Sequence, residues 1–86
     1  MHLSQVEIVS TDKLNIGDRV ATNGAVFELT EVRTRPCEYA ANGLVYAFKT
    51  NLIALTKYNA IPSHWLHDWT IQGNDIAIWS RVRADH

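Results

Sequence analysis

Apolar and polar residues alternate along much of this chain, and glycine-containing turns cut the alternation into segments. Asn23-Gly24 separates residues 19–22 from residues 25–32, and Asn42-Gly43 precedes residues 44–50. Asn-Gly tolerates positive φ at both central positions of a type I′ turn, so both sites are expected to be tight hairpin turns. Gly73-Asn74-Asp75 divides residues 69–72 from residues 76–82 in the same way. The segments between these marks are rich in β-branched and aromatic residues, and several repeat with period two. Tyr46, Phe48 and Thr50 oppose Val45, Ala47 and Lys49. In the last segment Ile76, Ile78, Ser80 and Val82 share one face, and Ala77, Trp79, Arg81 and Arg83 the other. No segment carries a sustained helical stripe.

Two stretches depart from the strand pattern. Pro36 and Cys37 interrupt the second hairpin, whose outer end is expected to be an irregular loop, because proline cannot donate to a ladder. Ile61-Pro62-Ser63-His64-Trp65-Leu66-His67-Asp68 reads as a short helical turn around residues 63–68, capped by Ser63, with Ile61, Trp65 and Trp69 at four-residue intervals. Trp65 and Trp69 are expected to plug one end of a barrel. Consecutive hairpins give an antiparallel meander, and closing it removes its exposed edges. The expected fold is therefore all-β and mainly antiparallel: a single small barrel domain over residues 1–86, with about five strands.

Two sequence patterns carry a family resemblance. Leu14-Asn15-Ile16-Gly17-Asp18-Arg19-Val20 resembles the entry to SH3-like barrels of the KOW type. Ile61-Pro62-x-x-Trp65-Leu66, then Trp69-Thr70-Ile71-Gln72-Gly73-Asn74, then Ala77-x-Trp79, resembles a recurrent ending in small uncharacterised bacteriophage and prophage proteins. The first implies an SH3-like barrel. The second implies a phage or prophage origin, and it brings no catalytic residues with it.

Composition narrows the function. At 86 residues the core is small, with no second domain to form a cleft. Eight Lys and Arg face nine Asp and Glu, so the basic excess of a dedicated nucleic-acid binder is missing. Cys37 is the only cysteine and the N-terminus lacks the pattern of a signal peptide, which points to a reducing, cytoplasmic setting, that of the host if the chain is phage-encoded. No apolar run approaches the ~20 residues needed to span a bilayer.

The residue types of catalysis are present but scattered. His64-x-x-His67-Asp68 is the one metal-like cluster, and with no second cluster it cannot complete a tetrahedral site, so neither metal nor cofactor is expected. Cys37 has no orienting partner in sequence. Glu28 and Glu31, an odd number of residues apart, are expected on opposite faces of a regular strand. The candidate contact residues are Trp79, Arg81 and Arg83, with Arg33 and Arg35 as a second pair on one strand face. If the isoleucines of the last strand form the core, Trp79 stands outside beside two arginines, as at binding hot spots. Alternatively, another part of the chain covers Trp79 and makes a second small core. A strand holding Arg33 and Arg35 beside the last one would gather four arginines, with Glu31 and Glu38 near enough to pair them. The leading expectation is a non-enzymatic binding module, a phage accessory protein in contact with a host protein. Nucleic-acid binding is the second expectation, and a virion component or homo-oligomer the third.

Overall fold

The chain turns back on itself at Asn23 and Gly24, with φ of 53° and 74°, the two positive values that a type I′ turn requires. In the computed structural model, which describes residues 6–55, 66, 67 and 69–82, this turn joins β2 (Arg19–Thr22) to β3 (Ala25–Pro36). The remaining strands are β1 (Val6–Ser10), β4 (Leu44–Leu55), β5 (Thr70–Asn74) and β6 (Ile78–Val82), and a 3-10 turn, Thr11–Lys13, follows β1. Valine at position 24 would hold a β-branched side chain at positive φ. We expect Gly24→Val to cost on the order of 1–2 kcal/mol or more in thermal unfolding, and a parental melting temperature would contradict this turn.

The six strands among the described residues form one antiparallel sheet in the order β1-β6-β2-β3-β4-β5. The fold is thus all-β, as the alternation implied, with six described strands where about five were expected. It is not a simple meander. Strands β2 to β5 follow one another, but β6 leaves β5 and inserts between β1 and β2.

That topology dictates curvature. In a flat sheet β5 and β6 would be four strand spacings apart, about 19 Å at ~4.8 Å each. Only residues 75–77 join them, and four Cα steps reach at most ~15 Å. The connection is also folded tightly, with the Ala77 N–H donating to the Asn74 carbonyl at 3.2 Å. The sheet must therefore curl until its far edge meets β6, which produces a barrel-like body. Thr11 marks the seam. Its N–H donates to the Ala77 carbonyl at 3.1 Å, and its fully buried hydroxyl lies against Gly73 of β5.

The Leu14–Asp18 motif has a geometric account. Gly17 has φ 94°, and its N–H donates to the Leu29 carbonyl at 2.8 Å, while Leu29 returns a bond to the Asp18 carbonyl at 2.9 Å. The Asp18 carboxylate accepts from the Asn15 N–H at 2.9 Å and so closes the turn. Leu14 is then delivered into the core with Val20, Ala25, Phe27, Leu29, Phe48, Leu66 and Ile71.

Three local expectations are corrected. Asn42-Gly43 does not form a two-residue turn. It ends a seven-residue loop, 37–43, in which Cys37 N–H donates to Gly43 carbonyl at 2.8 Å and the Asn42 side chain accepts from Leu44 N–H. Asp75 holds that loop from outside, one carboxylate oxygen accepting from Ala41 N–H at 3.1 Å and the other from Asn42 N–H at 3.0 Å. Glu28 and Glu31 lie on the same face, because a bulge between Leu29 and Glu31 adds one residue to β3. The third correction is the face of β6. Ile76 and Ile78 are 73% and 69% exposed, whereas Trp79 packs against the core. Most of the expected helical turn lies outside the described residues, as does Trp65. Within them, Leu66 is helical and buried, and Trp69 stacks on Phe27 with centroids 6.3 Å apart.

Candidate contact surface

The five candidate residues part company in the fold. Trp79 and Arg81 share a face of β6, as alternation predicts, but it is the inward one. The Trp79 indole N–H donates to the Thr11 hydroxyl at 2.7 Å, and that hydroxyl in turn lies 3.4 Å from the Ala77 carbonyl. Both polar ends of this aromatic contact are satisfied inside the molecule. Arg81 continues the seam outward. Its guanidinium meets Glu7 of β1 at 3.0 Å and Asp18 at 3.4 Å, and reaches the Lys13 carbonyl at 3.4 Å. The hydrogen bond to Glu7, and then the charges of Glu7 and Asp18, raise the Arg81 pKa above its ordinary value against a partial loss of hydration. Arg81 thus ties β1, and the turn that leads into β2, to β6. Arg83 lies outside the described residues.

Arg33 and Arg35 stand elsewhere. β2 separates β3 from β6, so the strand holding Arg33 and Arg35 does not stand beside the one holding Arg81. From Glu31 to Pro36, β3 is exposed throughout, because with β4 it projects beyond the buried cluster as an arm. Cross-strand register places Arg33 opposite Ala47 and Arg35 opposite Val45. The inward face at this level carries Tyr46, Phe48 and Ile71, of which Phe48 and Ile71 are fully buried, so both arginines face out.

Glu31 pairs with Lys49 at 3.5 Å and Glu28 with Arg19 at 3.7 Å. Among the described residues neither Arg33 nor Arg35 has an ion-pair partner, and Glu38 takes neither, contrary to the expected pairing. Tyr39, in the loop at the tip of the arm, is 82% exposed and was not among the expected contact residues. The signal available for it was an aromatic residue with no alternating apolar neighbour, between Pro36 and Asn42-Gly43.

The other chemistry-bearing groups do not converge. Among the described residues no three His, Cys, Asp or Glu side chains gather around one point. His64 and Asp68 lie outside those residues. Cys37 is a free thiol at the base of the loop. A shallow cleft of about 250 Å³ is lined by Lys49, Thr50, His67, Trp69 and Thr70, and the Thr50 hydroxyl there donates to the Trp69 carbonyl at 2.6 Å. No described helix is long and apolar enough to cross a membrane. No family model, curated protein or solved structure matches this chain.

Proposed function

We propose that this chain is a non-enzymatic binding module, a phage-encoded accessory protein that contacts a host protein in the host cytoplasm through the β3–β4 arm. The observation that carries this reading is the pair of arginines without an ion-pair partner among the described residues, side by side on an exposed strand face, below an exposed tyrosine. Arg and Tyr are among the residue types that dominate binding hot spots. Isolated surface charges lose little by remaining hydrated, but two guanidiniums held at a fixed spacing by the β3–β4 ladder are already arranged for a partner.

A benzophenone-bearing residue in place of the exposed Thr70, on the same outer face of the neighbouring β5, tests the reading. In lysate of the host, irradiation is expected to yield a discrete protein adduct that disappears in the Arg33→Glu/Arg35→Glu variant. An adduct unaffected by charge reversal, or one formed only with nucleic acid, would contradict it. A second reading, self-association, is favoured by Ile8 and Ile78, 61% and 69% exposed on the outer face of β1 and β6. A sedimentation coefficient that rises with protein concentration supports that alternative.

A further inference from the structure

Resting on the reading of this chain as a protein-binding module, we infer that the outer face of β3, β4 and β5 is a docking groove for an extended acidic peptide segment. The groove follows from the register. Arg33 is opposite Ala47, which is opposite Gln72, and Arg35 is opposite Val45 in the same way. Adjacent strands lie about 4.8 Å apart, so the backbone positions of Arg33 and Gln72, two strands apart, are separated by about 10 Å. Val45 and Ala47 between them have short side chains and leave the floor low. A peptide backbone can settle on that floor between a cationic wall and a neutral, hydrogen-bonding one. The Lys49–Glu31 ion pair closes one end without adding net charge.

Charge complementarity selects the occupant. Arg33 and Arg35 are separated by two residues of extended chain, about 6.8 Å. Carboxylates on alternate residues of an extended peptide repeat at the same interval, so one segment can meet both guanidiniums in register. Each arginine fork matches a carboxylate with two parallel hydrogen bonds. Single-stranded nucleic acid also brings regular anions, but it is held by aromatic platforms on which bases stack. The outer columns of β3, β4 and β5 carry no aromatic side chain, since Tyr46 and Phe48 face inward. Tyr39 stands beyond the groove, in the loop.

The experiment uses the full chain and three fluorescent probes of equal length. These are a capped decapeptide alternating Glu and Thr, its isomer with five Glu followed by five Thr, and a ten-nucleotide oligo-dT. Binding is read by anisotropy, and the contact face by amide chemical shifts. The alternating peptide is expected to bind tightest and to move the amides of Arg33, Arg35, Ala47 and Gln72. Arg33→Ala/Arg35→Ala is expected to weaken it about tenfold or more, since hydrogen bonds to charged groups are involved. Arg33→Lys/Arg35→Lys should restore only part of the loss, because an ammonium group cannot form the paired bonds. Equal binding of the two peptide isomers, tighter binding of oligo-dT, or shifts confined to other strands would overturn the inference. The adduct formed at position 70 separates this inference from the broader reading. If the adduct forms and excess alternating peptide does not compete it away, the acidic segment is wrong and the binding module stands. If no protein adduct forms, both fail.

Discussion

Replacing Trp79 with alanine is expected to cost about 3 kcal/mol or more of folding stability, near the low end of large core truncations because the residue is half-buried. Two losses combine. The ring packs against the cluster that contains Phe27, Phe48 and Ile71, and its removal leaves a void that the surrounding strands cannot close. The indole N–H also satisfies the buried hydroxyl of Thr11, which has no exposure to water. Trp79→Phe separates the two effects. It keeps most of the ring volume and leaves Thr11 with the Ala77 carbonyl alone, so its cost should fall to about 1–2 kcal/mol. Denaturant midpoints for the two variants check the ordering. A Trp79→Ala protein with parental stability would mean that the side chain is a contact residue after all, and that the inward face of β6 is misassigned.

Local features of this fold were legible where local chemistry decides them. Asn23-Gly24 requires its turn whatever surrounds it, and alternation alone places Phe48 inward with Lys49 outward. The shift at Thr30 was not legible. Val26 and Val32 are an even interval apart, so the apolar pattern is compatible with a regular strand, and the extra residue shows only in the pairing with β4. The faces of β6 were not legible from hydrophobicity. Ile76, Ile78 and Val82 are more apolar than Ala77, Trp79 and Arg81, so the alternation favours the wrong side. What reverses the choice is distant in sequence: Thr11 receives the indole N–H, and Glu7 and Asp18 receive the guanidinium. Nor could residues 75–77 reveal that β6 leaves its neighbour, because a three-residue connection serves a hairpin equally well. That one change of topology also split the candidate contact residues. It carried Trp79 and Arg81 into the seam and left Arg33 and Arg35 on an arm two strands away.

Gly73 is where the two ends of the curled sheet meet, and unlike Gly17 and Gly43 it has no room for a side chain. It is not among the glycines at positive φ, so backbone strain does not explain its presence. Space does. A Cβ built there would lie 2.9 Å from the Thr11 hydroxyl, 3.0 Å from the Ala77 Cβ and 3.4 Å from the Trp79 ring. None of these neighbours can yield easily. The Thr11 hydroxyl is held by the Trp79 N–H, the Thr11 backbone is bonded to the Ala77 carbonyl, and the Ala77 Cβ is fixed to its own main chain. Gly73→Ala is therefore expected to cost about 1–3 kcal/mol by overpacking, and Gly73→Val more. The clash identifies its own remedy. Thr11→Ala removes the atom that a Cβ at position 73 would strike first. It also leaves the Trp79 N–H without its acceptor, so it destabilises the protein by itself. In a double-mutant cycle, however, Gly73→Ala should cost at least about 0.5 kcal/mol less in the Thr11→Ala background than in the parent, beyond the error of additivity for distant sites. Additive losses would show that β5 does not close against the Thr11 turn, and the barrel would then have to seal elsewhere.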